Sequence, residues 1–217
     1  MDKATVELKA DVFARAADNA HVFASQDAAR PMLGRAYIHV HEGRLRFVTT
    51  DSYTLLIEEP LDTPTWTGDP KILVPTKVLK EAARAARTII PRRRSRYGTA
   101  RSEVPSVTIK GHNKEGGTSF FDGTVVVPGV ATFEFTSANT GVGGTFPDYT
   151  QLVPPEPVDT MAGLALNPRY ISRVGQIKLP KSAMDKPAQF YFNGDLKPVS
   201  VKIDVNIHAL FMPVRIS

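Results

Sequence analysis

The sequence predicts an antiparallel α+β fold, and three observations carry that prediction. Short β-branched or aromatic runs outnumber helical stretches, several of those runs are joined by brief turns, and the order strand, helix, three strands comes round three times in 217 residues. Brief connections favour antiparallel neighbours, because a parallel pair needs a crossover of a dozen residues or more. Helices would then cover one face of the sheets.

The first unit opens with the alternating strand Thr5–Leu8. Val12, Phe13, Ala16, Ala17, Ala20 and Phe23 then recur at helical spacing from Asp11 to about Ser25, in an Ala-rich stretch. Tyr37–Val40, Leu45–Thr49 and Thr54–Glu58 read as strands, with Glu42-Gly43 as the turn between the first two. Proline and glycine from Pro60 to Pro70 mark a connection. The second unit follows: strand Lys71–Val74, a helix opened by Pro75, and strands Val107–Lys110, Gly123–Val127 and Thr132–Thr136. It is lengthened by Pro91–Pro105 and one extra strand. The third and shortest unit reads as strand Leu164–Leu166, helix Pro168 to about Ile177, and strands Gln189–Phe192, Pro198–Ile203 and Ala209–Val214. Its boundary with the second unit is expected within the Gly- and Pro-rich stretch Asn139–Pro157.

Composition narrows the chemistry. Hydrophobic residues make up 42%, enough for a packed core, and the chain has no Cys, which removes disulfides, thiolate nucleophiles and Cys-based metal sites. No run is long and apolar enough for a membrane span, and the start MDKATVELKADVF lacks a signal pattern, so an intracellular protein with no membrane partner is expected. Lys and Arg number 27 against 22 Asp and Glu, for a net charge of +5. That surplus matters only if it collects on one surface.

On the second helix it does. Lys77, Lys80, Arg84 and Arg87 are spaced by three, four and three residues, which confines them to a sector of about 80°. Val78, Ala82, Ala85, Ala86 and Ile89 take the opposing side, and Arg92, Arg93, Arg94 and Arg96 continue the charge past Pro91. Glu81 is the helix's one acid, so this face repels itself unless a polyanion neutralises it. Arg169 and Arg173, with Lys178 after them, repeat the theme on the third helix. Aromatic residues do not alternate with these cations, which points to phosphate contact with a duplex and no sequence readout.

No catalytic constellation is found. There is no nucleophile elbow, zinc-protease motif or phosphate-binding Gly-Lys loop, and the Gly-rich stretches Gly111–Gly117 and Asn139–Thr145 read as loops. His39 and His41 share a strand face, but with no third ligand nearby they read as an ordinary surface pair. No metal and no cofactor are expected.

Three segments resemble the bacterial DNA polymerase III beta sliding clamp family. Arg30-Pro31-Met32-Leu33, followed by the run Gly43 to Asp51 (GRLRFVTTD), is similar to the family's R-P-x-L and G-x-L-x-x-x-A-T-D passage. Phe146-Pro147-Asp148-Tyr149 with Leu152 and Pro154 resembles its F-P-D-Y-x-x-x-x-P, and the closing Leu210 to Ile216 (LFMPVRI) its M-P-M-R-L. The resemblance implies that residues 1–154 correspond to the family's middle domain, two βαβββ units, and residues 155–217 to the C-terminal half of its last domain. It further implies a non-catalytic processivity factor: a homo-oligomeric ring whose helices line a hole for double-stranded DNA, with a hydrophobic cleft that holds peptides of the DNA polymerase, the clamp loader and other proteins. Lys77, Lys80, Arg84, Arg87, Arg169 and Arg173 would line the hole. The positions matching the family's cleft are Arg30, Leu33, Thr50, Ser52, Tyr53, Leu55, Pro147, Gln151, Leu152, Asn167, Tyr170, Leu196, Pro198, Leu210, Met212, Pro213, Val214 and Arg215. Ser52 stands where a Gly is usual, Thr54 where a basic residue is common, and Gln151 where the family often has Arg. Such rings close from about a dozen βαβββ units, so a chain carrying three would need four copies, or three on another count of units. A shortened clamp in the cytoplasm, of a bacterium or a phage's host, is the expectation. The rival is a clamp-like adaptor or decoy that binds the same peptides without encircling DNA; a small nucleic-acid enzyme would require a metal site that the sequence does not offer.

Overall fold

The computed structural model describes residues 3–60, 64–91, 103–112, 122–136, 146–153, 165–180, 187–194 and 197–214. Its first unit is β1 (Lys3–Lys9), α1 (Ala10–Phe23), β2 (Arg35–His41), β3 (Arg44–Thr50) and β4 (Thr54–Glu58). After β5 (Thr65–Thr67) the second is β6 (Lys71–Pro75), α2 (Thr76–Ile89), β7 (Ser106–His112), β8 (Asp122–Val127) and β9 (Ala131–Phe135). The third contributes α3 (Pro168–Ile171), β10 (Gln189–Tyr191), β11 (Val199–Asp204) and β12 (Ile207–Phe211).

The strands form two antiparallel sheets, β5-β1-β7-β8-β9 and β10-β11-β12-β4-β3-β2-β6. The first two units exchange their opening strands. β1 leaves its own unit to pair with β7 (Val6 opposite Ile109), and β6 pairs with β2 (Ile72 opposite Ile38). Neither unit can therefore complete its sheet alone. The strand pleat then sorts the side chains: Ile38, Phe47, Ile72, Ile109 and Val125 turn to one side, where they pack with Phe13, Leu79 and the alanines of α1 and α2. Ala16, Ala17, Ala20, Ala82, Ala83 and Ala86 are all buried, and such small side chains let the two helices lie close together over both sheets. On the other face of the seven-stranded sheet, Val48, Leu55, Leu73 and Leu210 are covered by Phe146 and Tyr149.

The third unit docks by extending this sheet. β12 pairs with β4 from Phe211 opposite Thr54 to Ile207 opposite Glu58. Its own helix layer packs Tyr170 and Val174 over Val199, Val201, Ala209 and Phe211, together with Phe23 from the end of α1.

Several expectations are corrected. β5 lies within the stretch read as connection: its three residues are all exposed, and only pairing with β1 (Trp66 opposite Val6) makes it a strand. The third helix stops after Ile171, with a 3₁₀ turn at Val174–Gln176 in place of its second half. Gly175 weakens the helix there, and the Ser172 hydroxyl donates back to the Arg169 carbonyl at 2.9 Å. Residues 165 and 166 are not strand, and Pro75 caps α2 rather than forming its first turn. The lengthening segment Pro91–Pro105, like Leu164 and most of Asn139–Pro157, falls mainly outside the described residues. His39 is not a surface residue: it is buried, stacked on Tyr37 at 4.3 Å, and its Nε2 lies 2.9 Å from the Tyr149 hydroxyl.

The β3–β4 hairpin is held by its own side chains. Asp51 Oδ1 accepts from the N–H groups of Tyr53 (3.0 Å) and Thr54 (2.7 Å) and from the Thr54 hydroxyl (2.9 Å). Thr50 Oγ1 accepts from the N–H of Ser52 at 3.1 Å and donates to the Thr54 carbonyl at 2.7 Å. This geometry forces Ser52 to φ 78°, a left-handed conformation that Gly adopts without strain. Ser52→Gly is expected to raise unfolding stability by about 0.5–1 kcal/mol, read as a shift in urea midpoint at constant m; an unchanged or lower midpoint would refute the strain.

Burial holds the His39 and His208 imidazoles down at about 4, with Lys202 and Arg46 adding to the effect at His208. An unfolded histidine titrates near 6.5, so between that pH and about 4 the unfolded chain binds more protons than the folded one. Stability is therefore full above pH 6.5 and falls through that window by about 3 kcal/mol per histidine. Urea titrations from pH 7 to 4 should show the slope, and His208→Gln should flatten it; an identical slope in the variant would remove His208 as a cause.

Candidate functional site

The helix layer carries the cations. On α2, Leu79, Ala82, Ala83 and Ala86 face the core, while Lys77, Arg84 and Arg87 are exposed and Lys80 half-buried. Among the described residues no salt bridge engages Lys77, Lys80 or Arg84. All three lie close enough to His21 of α1 that their charges, after burial and opposed by Asp18, help hold its imidazole below the usual histidine range. Its Nδ1 is buried without a hydrogen-bond partner. The three cations therefore form one positive patch on α2 that reaches the His21 ring of α1, whose protonation they disfavour.

Arg87 differs from its neighbours, because it pairs with Asp18 of α1, and so does Lys178 after the 3₁₀ turn. The acid that neutralises it comes from a helix more than sixty positions earlier, so helical spacing within α2 does not reveal it. Arg169 is exposed on α3. Arg173 lies elsewhere than the i,i+4 spacing suggests: its Nη1 is 2.7 Å from Asp51 Oδ2, it donates to the Thr54 hydroxyl, and its guanidinium sits 5.5 Å from the centre of the Tyr170 ring. Its charge is committed to the β3–β4 hairpin, and its place is beside the cleft.

The cleft positions come together from separate stretches. The Met212 N–H donates to the Tyr53 carbonyl at 3.0 Å, and the Val214 N–H to the Ala165 carbonyl at 2.8 Å, so the chain after β12 runs between the hairpin and the approach to α3. Tyr53 stacks on Tyr170 with ring centres 5.8 Å apart. Asn167 caps α3 by accepting from the Arg169 N–H at 3.0 Å, and Arg30 Nη1 reaches the Ser52 hydroxyl at 3.3 Å. Tyr53, Leu152 and Val214 are 45–50% exposed, and Tyr170, Met212, Pro213 and Pro198 are half-buried. These residues offer apolar surface.

Other positions serve differently. Leu33, Thr50, Leu55 and Leu210 are buried, and Leu55 and Leu210 pack beneath Phe146 and Tyr149, so they support the cleft rather than line it. Pro147 is exposed, and Gln151 is exposed with its amide on Asp148 at 2.9 Å. Leu196 and Arg215, like Arg92, Arg93, Arg94 and Arg96, lie outside the described residues. Asp51 and Arg173 belong to the hairpin wall but were absent from the expected cleft set, Arg173 having been expected to line the hole, and Thr54 was noted there only as a departure from the family. The Asp51-Ser52 turn was legible for Asp51 and Thr54, whereas nothing local pairs Arg173 with a residue 122 positions away.

A cavity of about 890 Å³ opens at the far end of β3 and β4 from this hairpin, lined by His41, Arg44, Arg46, Glu59, Tyr149 and His208. Its two arginines share Glu59, at 3.1 and 2.7 Å, so that one carboxylate offsets one of their two positive charges. Among the described residues no group of three or more His, Asp or Glu could hold a metal ion.

Residues 7–89 match the family model for the DNA polymerase III beta subunit, central domain. No curated protein matches the sequence. Among solved structures, the beta subunit of Thermotoga maritima superposes with a TM-score of 0.70 at 13% identity, covering 98% of this chain and 66% of that one. The beta subunit of Caulobacter crescentus gives 0.67 at 19% identity, with 98% and 66% covered, and the sliding clamp of Bacillus subtilis 0.66 at 14%, with 98% and 64% covered. The chain thus spans just under two thirds of the length of these proteins. Over 98% of its length it has the fold of bacterial beta sliding clamps, and residues 7–89 match the model for the DNA polymerase III beta central domain.

Proposed function

We propose that this chain is a DNA sliding clamp, a non-catalytic processivity factor that encircles duplex DNA as a homo-oligomeric ring and tethers a DNA polymerase through the cleft between its first and third units. The observation that carries the reading is the cationic patch of Lys77, Lys80 and Arg84, free of ion pairs among the described residues and set on the helix layer that both sheets back. Duplex phosphates spaced along the axis attract such a patch with little preference for position, so the protein is held on DNA while it slides. Arg169, exposed on α3, is the third unit's contribution to the lining in this reading. Arg87 joins it only when phosphate competes with Asp18.

The first and third units build the cleft jointly, at the hairpin and the chain after β12. A polymerase or clamp-loader peptide would lay two apolar side chains over Tyr53, Tyr170, Met212 and Val214. Each contributes about 1.5–3 kcal/mol, part of which is lost to ordering the peptide. The resulting affinity is of order micromolar, weak enough for partners to exchange. ATP-driven opening belongs to a separate loader. The domain division at residue 154, the cytoplasmic setting and a phage or bacterial source are parts of the same reading. No described helix is long and apolar enough to cross a membrane.

Charge reversal at Lys77, Lys80 and Arg84 is expected to abolish retention on nicked circular DNA and to lower the salt slope of duplex binding, with peptide affinity unchanged. Equal loss of both activities would signal misfolding and withdraw the assignment. Tyr170→Ala should weaken a polymerase-tail peptide about tenfold, close to 1.4 kcal/mol, by fluorescence anisotropy; unaltered affinity would remove the cleft. Peptide binding by a chain that never retains DNA would make it an adaptor instead.

A further inference from the structure

The contacts between α1 and α2 run in opposite directions along the two helices. Arg87, in the last turn of α2, pairs with Asp18 and donates to the Ala14 carbonyl at 3.5 Å. His21, three residues beyond Asp18 in the last turn of α1, falls instead level with the earlier turns of α2, within reach of the charges on Lys80, Lys77 and Arg84. This half-buried ring thus sits where three cations free of salt bridges among the described residues converge.

The protein gives the ring no counter-charge of its own. Asp18 on α1 is already shared by Arg87 of α2 and by Lys178 from the chain after α3, and among the described residues no carboxylate forms a salt bridge with His21. Nδ1 is buried without a partner, which leaves Nε2 as the nitrogen that can meet a ligand. Burial first, then Lys80, with Lys77 and Arg84 behind, hold the imidazole below the usual histidine range, and Asp18 opposes them.

We infer that a phosphate of duplex DNA, docked across Lys77, Lys80 and Arg84, brings a proton from solvent onto His21 and makes it a fourth cation of the DNA-facing surface. The phosphate cancels the field of the three cations and supplies the counter-charge that Asp18 cannot, and the protonated ring donates its Nε2–H to a phosphate oxygen. The result is a proton-linked grip. Because the complex binds more protons than the free protein, affinity for duplex rises as pH falls, by at most about tenfold per pH unit, through the window between the two titration points of the ring. Phosphate carries no base identity, so the effect is the same on any sequence. The inference rests on the clamp reading and adds a pH dependence to its DNA surface.

Binding of a short linear duplex, followed by fluorescence anisotropy at pH 8 and pH 6 on either side of the ordinary histidine range, tests the link. The wild-type chain is expected to bind about three- to tenfold more tightly at the lower pH, with a salt slope steeper by about 0.9. Calorimetry in two buffers of different ionisation enthalpy should show proton uptake on binding. In His21→Gln, which cannot take the proton, and in His21→Arg, which carries the charge at both pH values, the affinity ratio should fall close to one and the uptake should vanish. Circular dichroism checks that each variant is folded, and either one decides the question. A wild-type ratio retained in a folded variant, or no proton uptake by the wild-type chain, would overturn the inference and leave the clamp reading standing. A folded chain that binds no duplex at either pH would overturn both.

Discussion

The carboxylate of Glu58 is fully buried at the end of β4, where the first and third units meet. An isolated charge there would be prohibitive, and burial does push this carboxyl above its usual range. Arg15 and Asn19 of α1 hold it at 3.2 and 2.9 Å. Asn19 also accepts the Lys178 N–H at 2.7 Å and donates to the Lys178 carbonyl at 3.2 Å. One buried side chain therefore fixes α1, β4 and the chain after α3 relative to one another. Removing any member would strand a buried polar group, a larger loss than the bond itself.

That junction links the two candidate surfaces. α1 carries Asp18 and His21 into the cationic patch, and the third unit brings Tyr170, Arg173 and the chain after β12 to the hairpin. Because Asn19 and Lys178 tie these parts together, the patch and the cleft keep a fixed relation without touching. The cleft is also stiffened from within: Arg173 binds Asp51 and lies against Tyr170, which in turn stacks on Tyr53. In the proposed reading, a preorganised aromatic wall would lose little entropy on taking a peptide.

The strand exchange between the first two units has a consequence for charge. Since β1 and β6 each complete the other unit's sheet, the helices must lie on the same side of both sheets, and the outward faces of α1 and α2 form one surface. Buried alanines let that surface be continuous, so the acids of α1 and the bases of α2 interact. Asp18 neutralises Arg87 for this reason.

Most of the fold was legible in the sequence because its signals are local. Alternation marked β1, runs of β-branched and aromatic residues marked β2, β3, β4, β7 and β8, helical spacing marked α1 and α2, and their order revealed the repeat. β5 was not legible, since three exposed residues become a strand only when β1 offers an edge. The third helix was overcalled because a period cannot weigh Gly175 and the back-bonding of Ser172. Of the sites, α2's cationic face followed from spacing alone, and the cleft from family motifs. Which of those residues stay accessible did not follow, because the burial of Leu55 and Leu210 depends on a covering segment some ninety positions from Leu55. By itself the sequence determined which side chains share a face, a property of backbone periodicity. Only the tertiary structure decided which charges are neutralised, since Asp18 with Arg87 and Asp51 with Arg173 meet across loops whose closure no local pattern encodes.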